Sequence, residues 1–281
     1  MKILTTIAET RAACGAARME GKHLGLVPTM GALHEGHLSL MRAAKAQCDV
    51  VAASIFVNPT QFGPKEDLAK YPRDLQRDSA LLQQEGVEFV FVPSVEEMYP
   101  AGAVTWVTVE GMSAKLCGRS RPGHFRGVTT VVAKLFHIIE PDVAFFGQKD
   151  AAQAAIIRRM VRDLNFPVEI VVCPIVREPD GLAMSSRNSY LDPGQRKAAQ
   201  VLHRALMSMQ NLFDKGERRA EKLIAAGKQI FAQEPSVRLD YFEIVDPESL
   251  DPVDQISDHA LVAVAAFVGT TRLIDNLLLK C

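Results

Sequence analysis

Over the first two-thirds of the chain, short unbroken apolar runs alternate with segments whose apolar residues recur every three or four positions. The runs at 24–28, 50–57, 87–92 and 143–146 are rich in β-branched and aromatic residues and show no polar alternation. Strands buried on both faces of a parallel sheet read this way, and 168–172 predicts one more. Between them, 127–139 and 150–164 carry amphipathic helical spacing. Thr6-Ile7-Ala8-Glu9 and Ser94-Val95-Glu96-Glu97 have the spacing of a capping box. This alternation predicts a doubly wound, parallel-sheet, Rossmann-like α/β domain.

The pattern changes after Val176. Pro179-Asp180-Gly181 is a turn signal, and Asp192-Pro193 is an N-cap followed by proline at the first helical position. Leu202, Ala205, Leu206, Met209, Leu212 and Phe213 recur at helical spacing, and a second helix is predicted over 217–233. Extended segments follow at 239–245, 261–268 and 272–279. Helices followed by strands predict a smaller α+β domain. The expected division is therefore residues 1–176, Rossmann-like, and 177–281, a small α+β lid.

Composition narrows the field. The chain has 281 residues, with 48% hydrophobic, 23% charged and a net charge of -1. No face is obviously basic, which disfavours a nucleic-acid partner. The longest apolar runs, 50–57 and 260–268, are far shorter than a membrane-spanning helix needs. Glu9 arrives before a secretory apolar core could form, so the expected location is the cytoplasm, without membrane partners. Cys14, Cys48, Cys117, Cys173 and Cys281 are odd in number and widely spaced, so a disulfide framework or zinc knuckle is not expected.

Five strings could carry chemistry. Pro28-Thr29-Met30-Gly31-Ala32-Leu33-His34-Glu35-Gly36-His37 follows a predicted strand and opens a predicted helix. A helix start there offers free N–H groups and positive dipole charge to phosphate. Gly31 and Gly36 would let a nucleotide approach the backbone. His34 and His37, three apart, can face one side and donate to phosphate oxygens, although the pair could also be a capping feature. No third zinc-type ligand lies nearby. Asn58-Pro59-Thr60-Gln61-Phe62 ends a strand with amides suited to a polar substrate, and equally reads as an Asn-Pro turn. The loop Gly118 to Gly127 holds three arginines and His124, which could attract an anion or simply be solvated. Phe146-Gly147-Gln148-Lys149-Asp150 places Lys149 for phosphate. Asp150, with Gln153 three on, has the pattern of a capping box. Met184-Ser185-Ser186-Arg187-Asn188 could close over a triphosphate. Gly-rich dinucleotide and P-loop fingerprints and a Gly-x-Ser-x-Gly elbow are missing, which counts against hydride transfer, P-loop phosphoryl transfer and serine hydrolysis.

Together and in this order, these strings resemble the pantoate–β-alanine ligase family of the class I synthetase and nucleotidylyl-transferase superfamily, over essentially the whole chain. One departure is Ala151-Ala152, where many members carry an aromatic residue. The resemblance implies ATP-dependent condensation of pantoate with β-alanine through a pantoyl-adenylate. It implies catalytic roles for His34, His37, Lys149 and Arg187. ATP would be held by Met30, Gly31, His34, Gly36, His37, Gly147, Gln148, Lys149, Asp150, Val176, Met184, Ser185, Ser186 and Arg187. Pantoate would be held by Gln61, Gln153, Met30 and Asn58. Mg2+ would arrive with ATP, held mainly by phosphates and with no protein ligand assigned, and the chain would form a homodimer. An alternative sharing the first signature is a nucleotidyltransferase that activates another small substrate and forms no amide.

Overall fold

The computed structural model describes residues 1–64 and 66–281. Six strands form one parallel sheet: β1 (Lys2–Leu4), β2 (Leu24–Thr29), β3 (Val50–Ile55), β4 (Phe89–Phe91), β5 (Val143–Gly147) and β6 (Glu169–Cys173), in the order β1-β4-β3-β2-β5-β6. Their connections carry α1 (Ile7–Met19), α2 (Glu35–Gln47), α3 (Leu75–Gln84), α4 (Val95–Met98), α5 (Cys117–Ser120), α6 (His124–Ile139) and α7 (Ala151–Asp163). β3 is buried at five of its six positions and β2 likewise, as unbroken apolar runs require.

Two expectations shift. The run at 50–57 leaves the sheet after Ile55, because Phe56 and Val57 turn toward the Asn58 corner. Ser94 caps α4 through the Glu97 N–H. The Glu97 carboxylate, however, accepts from Ile7 N at 2.6 Å and ties α4 to α1. The Thr6 capping box forms as expected.

The strand order reverses between β2 and β5. Their pairing covers only Gly25 with Val143 and Leu26 with Ala144, while β5 stays paired to β6 through Gly147. Pro28 has no N–H to offer at the end of β2. The two strands therefore part at their carboxyl ends, which opens a crevice where ligands of open α/β sheets bind.

After β6 come α8 (Pro193–Ala199), α9 (Val201–Asp214), α10 (Ala220–Ala232) and an antiparallel sheet of β7 (Val237–Val245), β8 (His259–Val268) and β9 (Thr271–Lys280). β8 is buried on both faces. Ala260, Val262, Val264 and Ala266 pack on the side of helices α9 and α10, with Leu206 and Leu223. Leu261, Ala263 and Ala265 join the core of the parallel sheet, with Leu135 and Ile156. The period of two thus welds the smaller unit onto the larger one. Among the described residues no helix is long and apolar enough to cross a membrane.

Candidate active site

A cavity of about 220 Å³ sits at the β2/β5 crevice. Every residue expected in the site lines it except Gly31 and Gln148. A second cavity of about 840 Å³ lies between the two sheets and shares Lys149, Asp150, Gln153 and Arg187 with the first. A typical ligand pocket runs from about 300 to 1,000 Å³. The smaller cavity alone is short of a nucleotide plus an acid, and the two together suffice. The smaller one holds His34 and His37.

α2 starts at Glu35, with His34 as its extended N-cap. The imidazoles of His34 and His37 lie 4.1 Å apart, centroid to centroid. The His34 N–H donates to His37 Nδ1 at 3.3 Å. His37 thus does cap the helix, and its Nε2 is left to carry the proton and face the cavity. Burial, then His34 and Lys149, holds His37 well below its ordinary 6.5. Burial, then the Lys149 charge, lowers His34 to about 4. Both rings are therefore neutral N–H donors near pH 7. His34 Nδ1 is buried without a partner, a costly state that an incoming ligand oxygen or N–H would relieve.

The glycines serve the turn itself. Gly31 has φ +79, and a Cβ there would meet Asp78 Oδ2 at 3.0 Å and Ile55. A Cβ on Gly36 would lie 3.0 Å from the His34 ring. Gly36 therefore clears space for His34, whereas at Gly147 a Cβ would meet nothing within 4 Å and the strand end stays open to the cavity.

On the opposite side, Gln61 Nε2 lies 3.1 Å from Met30 Sδ, and Gln61 Oε1 accepts from Asn58 Nδ2 at 3.1 Å. Asn58 is 1% exposed. Its amide also donates to Gly127 O, and its Oδ1 accepts from Thr60, so its side chain is committed to holding Gln61. Gly127 permits this: a Cβ there would stand 2.5 Å from Thr60 O. His124 Nδ1 donates to Gln61 O at 2.9 Å while its Nε2 accepts from Arg121. Burial, then Arg121, lowers His124 to about 4, which keeps that tautomer neutral.

The basic loop is largely exposed, at Arg119, Ser120, Pro122, Gly123 and Arg126, but its arginines are engaged. Arg121 forms a two-pronged pair with Glu66, Arg119 pairs with Glu243, and Arg126 lies 4.8 Å above the Trp106 ring. Asp150 departs from its expected capping role. A 3₁₀ turn at Gln148–Asp150 precedes α7, and the Asp150 side chain caps nothing. It stands in the cavity wall, 3.6 Å from Lys149 Nζ. Gln148 reaches across to the smaller unit. Its amide bonds to Asn276 Oδ1 at 2.9 Å, and Asn276 in turn donates to the Gln148 and Lys149 carbonyls. Gln148 is thus a tether to β9, and Asn276 holds Lys149 in place.

The Met184–Arg187 loop crosses from the smaller unit. Met184 N donates to Val176 O at 3.0 Å, and Ser186 Oγ donates to Ala32 O at 3.1 Å. Ser185 Oγ accepts from Arg187 N. Arg187 is paired twice with Asp67, both contacts at 2.9 Å, and its guanidinium sits 6.0 Å over Tyr71. Burial pushes the Asp67 carboxyl up, but Arg187 outweighs it and holds the group below its ordinary range.

Sequence reading missed Asp67, Tyr71, Asp78 and Asn276, since each acts through a partner remote in the chain. Among the described residues no three His, Cys, Asp or Glu side chains group as a metal cage would require.

The model of the family described as pantoate-beta-alanine ligase matches residues 2–278. The pantothenate synthetase of Koribacter versatilis is 63% identical over 280 residues, covering 100% of this chain and 96% of that protein. That of Moorella thermoacetica is 59% identical, over 100% of this chain and 99% of its own. The crystal structure of pantothenate synthetase from Thermus thermophilus superposes with a TM-score of 0.94 at 50% identity, covering 99% of each chain. A pantoate-beta-alanine ligase from Francisella tularensis, complexed with beta-gamma ATP and β-alanine, does so with 0.81 at 33% identity, over 99% and 97%.

Proposed function

The chain belongs to the pantoate–β-alanine ligase family, and from that premise we propose how its cleft carries out the ATP-dependent formation of the amide bond. The pantoate carboxylate attacks the α-phosphorus of ATP, and pyrophosphate leaves. The β-alanine amine then attacks the acyl carbon of the pantoyl-adenylate. The acyl C–O bond breaks and AMP departs with that oxygen. Neither step needs a covalent nucleophile from the protein. Both need positioning and stabilisation of phosphate charge.

His34 and His37 bind the phosphates as neutral donors at the start of α2, where the helix dipole adds to their effect. Lys149, Ser185, Ser186 and Arg187 neutralise the departing pyrophosphate. Met30, Gly31, Gly36, Gly147, Gln148, Asp150 and the backbone at Val176 and Met184 surround the nucleotide, with Gln148 acting by tethering Lys149's turn. Gln61 and Gln153 bracket pantoate beside Met30, and Asn58 orients Gln61. Mg2+ enters as part of the MgATP substrate and is held mainly by phosphate oxygens. The observation that carries this reading is the pair of neutral histidines, one with an unpartnered buried nitrogen, facing Lys149 across the cavity.

A nucleotidyltransferase that stops at the activated product is not favoured, because the family match spans nearly the whole chain. The functional division at about residue 176 separates a nucleotide and pantoate wall from a smaller covering unit that carries Ser185–Arg187. We place the enzyme in the cytoplasm, as a homodimer. Exposed Val104, 82% accessible, and Trp106 offer an apolar surface for the second copy. The test is direct: pyrophosphate is released from ATP only with pantoate present, and amide and AMP appear only when β-alanine is added. AMP formation that ignores β-alanine would refute the two-step scheme.

A further inference from the structure

The turn that presents the two histidines is wound left-handed at two successive residues, with φ +79 at Gly31 and +50 at Ala32. Glycine takes this conformation freely, whereas alanine is strained in it and must be held. Asp78, 1% exposed in the first turns of α3, sits directly beneath. Its Oδ2 accepts from Ala32 N at 2.8 Å and its Oδ1 from Leu33 N at 2.9 Å. The neighbouring Arg77 donates to Leu33 O at 3.0 Å and lies 3.6 Å from Asp78 Oδ1. Helix α3 does not need this carboxylate, since Asp74 already caps it by accepting from Arg77 N at 3.0 Å. On its other side, the Ala32 peptide receives Ser186 Oγ from the smaller unit. Asp78 lines neither cavity.

We propose that Asp78 is a positioning residue for the adenylation step. Its buried carboxylate touches no reacting atom. It holds the strained Gly31–Ala32 turn, aims His34 and His37 at the triphosphate, and sets the carbonyl on which Ser186 docks. Charge-assisted bonds from a carboxylate to two adjacent N–H groups suit this task, since both lone-pair directions are fixed at once. This inference rests on the assignment of His34 and His37 to ATP.

The test separates the half-reactions in Asp78→Asn. Asparagine keeps one acceptor and turns its NH2 against the other N–H. Pantoate-dependent exchange of pyrophosphate into ATP is expected to fall about 100-fold, the scale of an ångström-level misplacement. Aminolysis of supplied pantoyl-adenylate by β-alanine, which develops no triphosphate charge, is expected to fall less than about five-fold. Ala32→Gly in the Asp78→Asn background is expected to regain about ten-fold in exchange, because glycine needs no clamp at that φ. If Asp78→Asn does not fold, Asp78→Glu retains the charge one methylene further out and is expected to lose about ten-fold in exchange alone. Exchange within three-fold of the unaltered enzyme, or equal losses in both half-reactions, overturns the proposal. An unaltered enzyme without pantoate-dependent exchange would instead overturn the assignment on which it rests.

Discussion

The two walls of the cleft are held by different physics. The histidine wall, from Thr29 to His37, is built from hydrogen bonds among buried and half-buried groups: Thr29 Oγ1 to Ser54 O at 2.6 Å, Asp78 from two adjacent N–H groups at 2.8 and 2.9 Å, and His37 Nδ1 from the His34 N–H at 3.3 Å. The facing wall joins Glu66, Asp67 and Lys70 to Arg121, Arg187 and Tyr190 through partly exposed contacts. Buried polar networks are costly to disturb, while partly exposed ion pairs contribute little and exchange readily. In the proposed mechanism, the first wall is the one preorganised for charge that develops at the α-phosphate. The other is latched by the pairs Arg121–Glu66 and Arg187–Asp67, and in the same mechanism Arg187 passes to the departing pyrophosphate.

Breaking the preorganised wall should have the largest effect. His37→Ala is expected to lower pantoate-dependent pyrophosphate exchange by at least about 100-fold, with far-ultraviolet circular dichroism and gel filtration unchanged. An unchanged exchange rate would remove His37 from the chemistry. Gly127→Ala comes next, because its new methyl would press on Thr60 O and Gln61 Cα from 2.5 and 2.7 Å. It should raise the KM for pantoate about ten-fold and cost about 1–3 kcal/mol of stability in denaturant titration. A normal KM would mean that the Asn58–Gln61 corner does not hold pantoate.

Acid provides a third test. His34 and His124 are both depressed to about 4 from an ordinary 6.5. Between those values the unfolded chain binds protons that the folded histidines refuse, so stability rises with pH across this window and is lost as pH falls from 6.5 toward 4. Glu66 and Asp67, depressed carboxylates, add their loss only below the ordinary carboxylate range. A fall in Tm of about 10 °C between pH 7 and 4.5 is expected by calorimetry. A flat profile would show that these rings already carry charge. The smallest effect belongs to the latched wall. Asp67→Asn should shift Tm by less than about 3 °C and change exchange by less than about ten-fold. A loss as deep as that of His37→Ala would erase the distinction between the walls.

Much of this arrangement is legible in the chain. Unbroken apolar runs mark β2 to β6, and a parallel sheet places every strand end, and hence Met30, Asn58 and Lys149, at one rim. β1 escapes notice because three residues with a single buried position carry no period, and its strand character comes from pairing with β4. Asp150 misleads because the capping pattern is local, whereas the 3₁₀ turn ahead of α7 depends on Asn276, more than a hundred residues away. Asp78 reads as an ordinary acid in a helix's first turn, and only the fold brings it beneath Ala32.

The central claim is that pantoate is activated by forming a bond from its carboxylate to the α-phosphorus of ATP in this cleft. Pantoate labelled with oxygen-18 in its carboxylate tests it in one turnover with ATP and β-alanine. The expected result is AMP carrying one labelled oxygen and unlabelled pyrophosphate. Label in inorganic phosphate, with ADP as the nucleotide product, would contradict it.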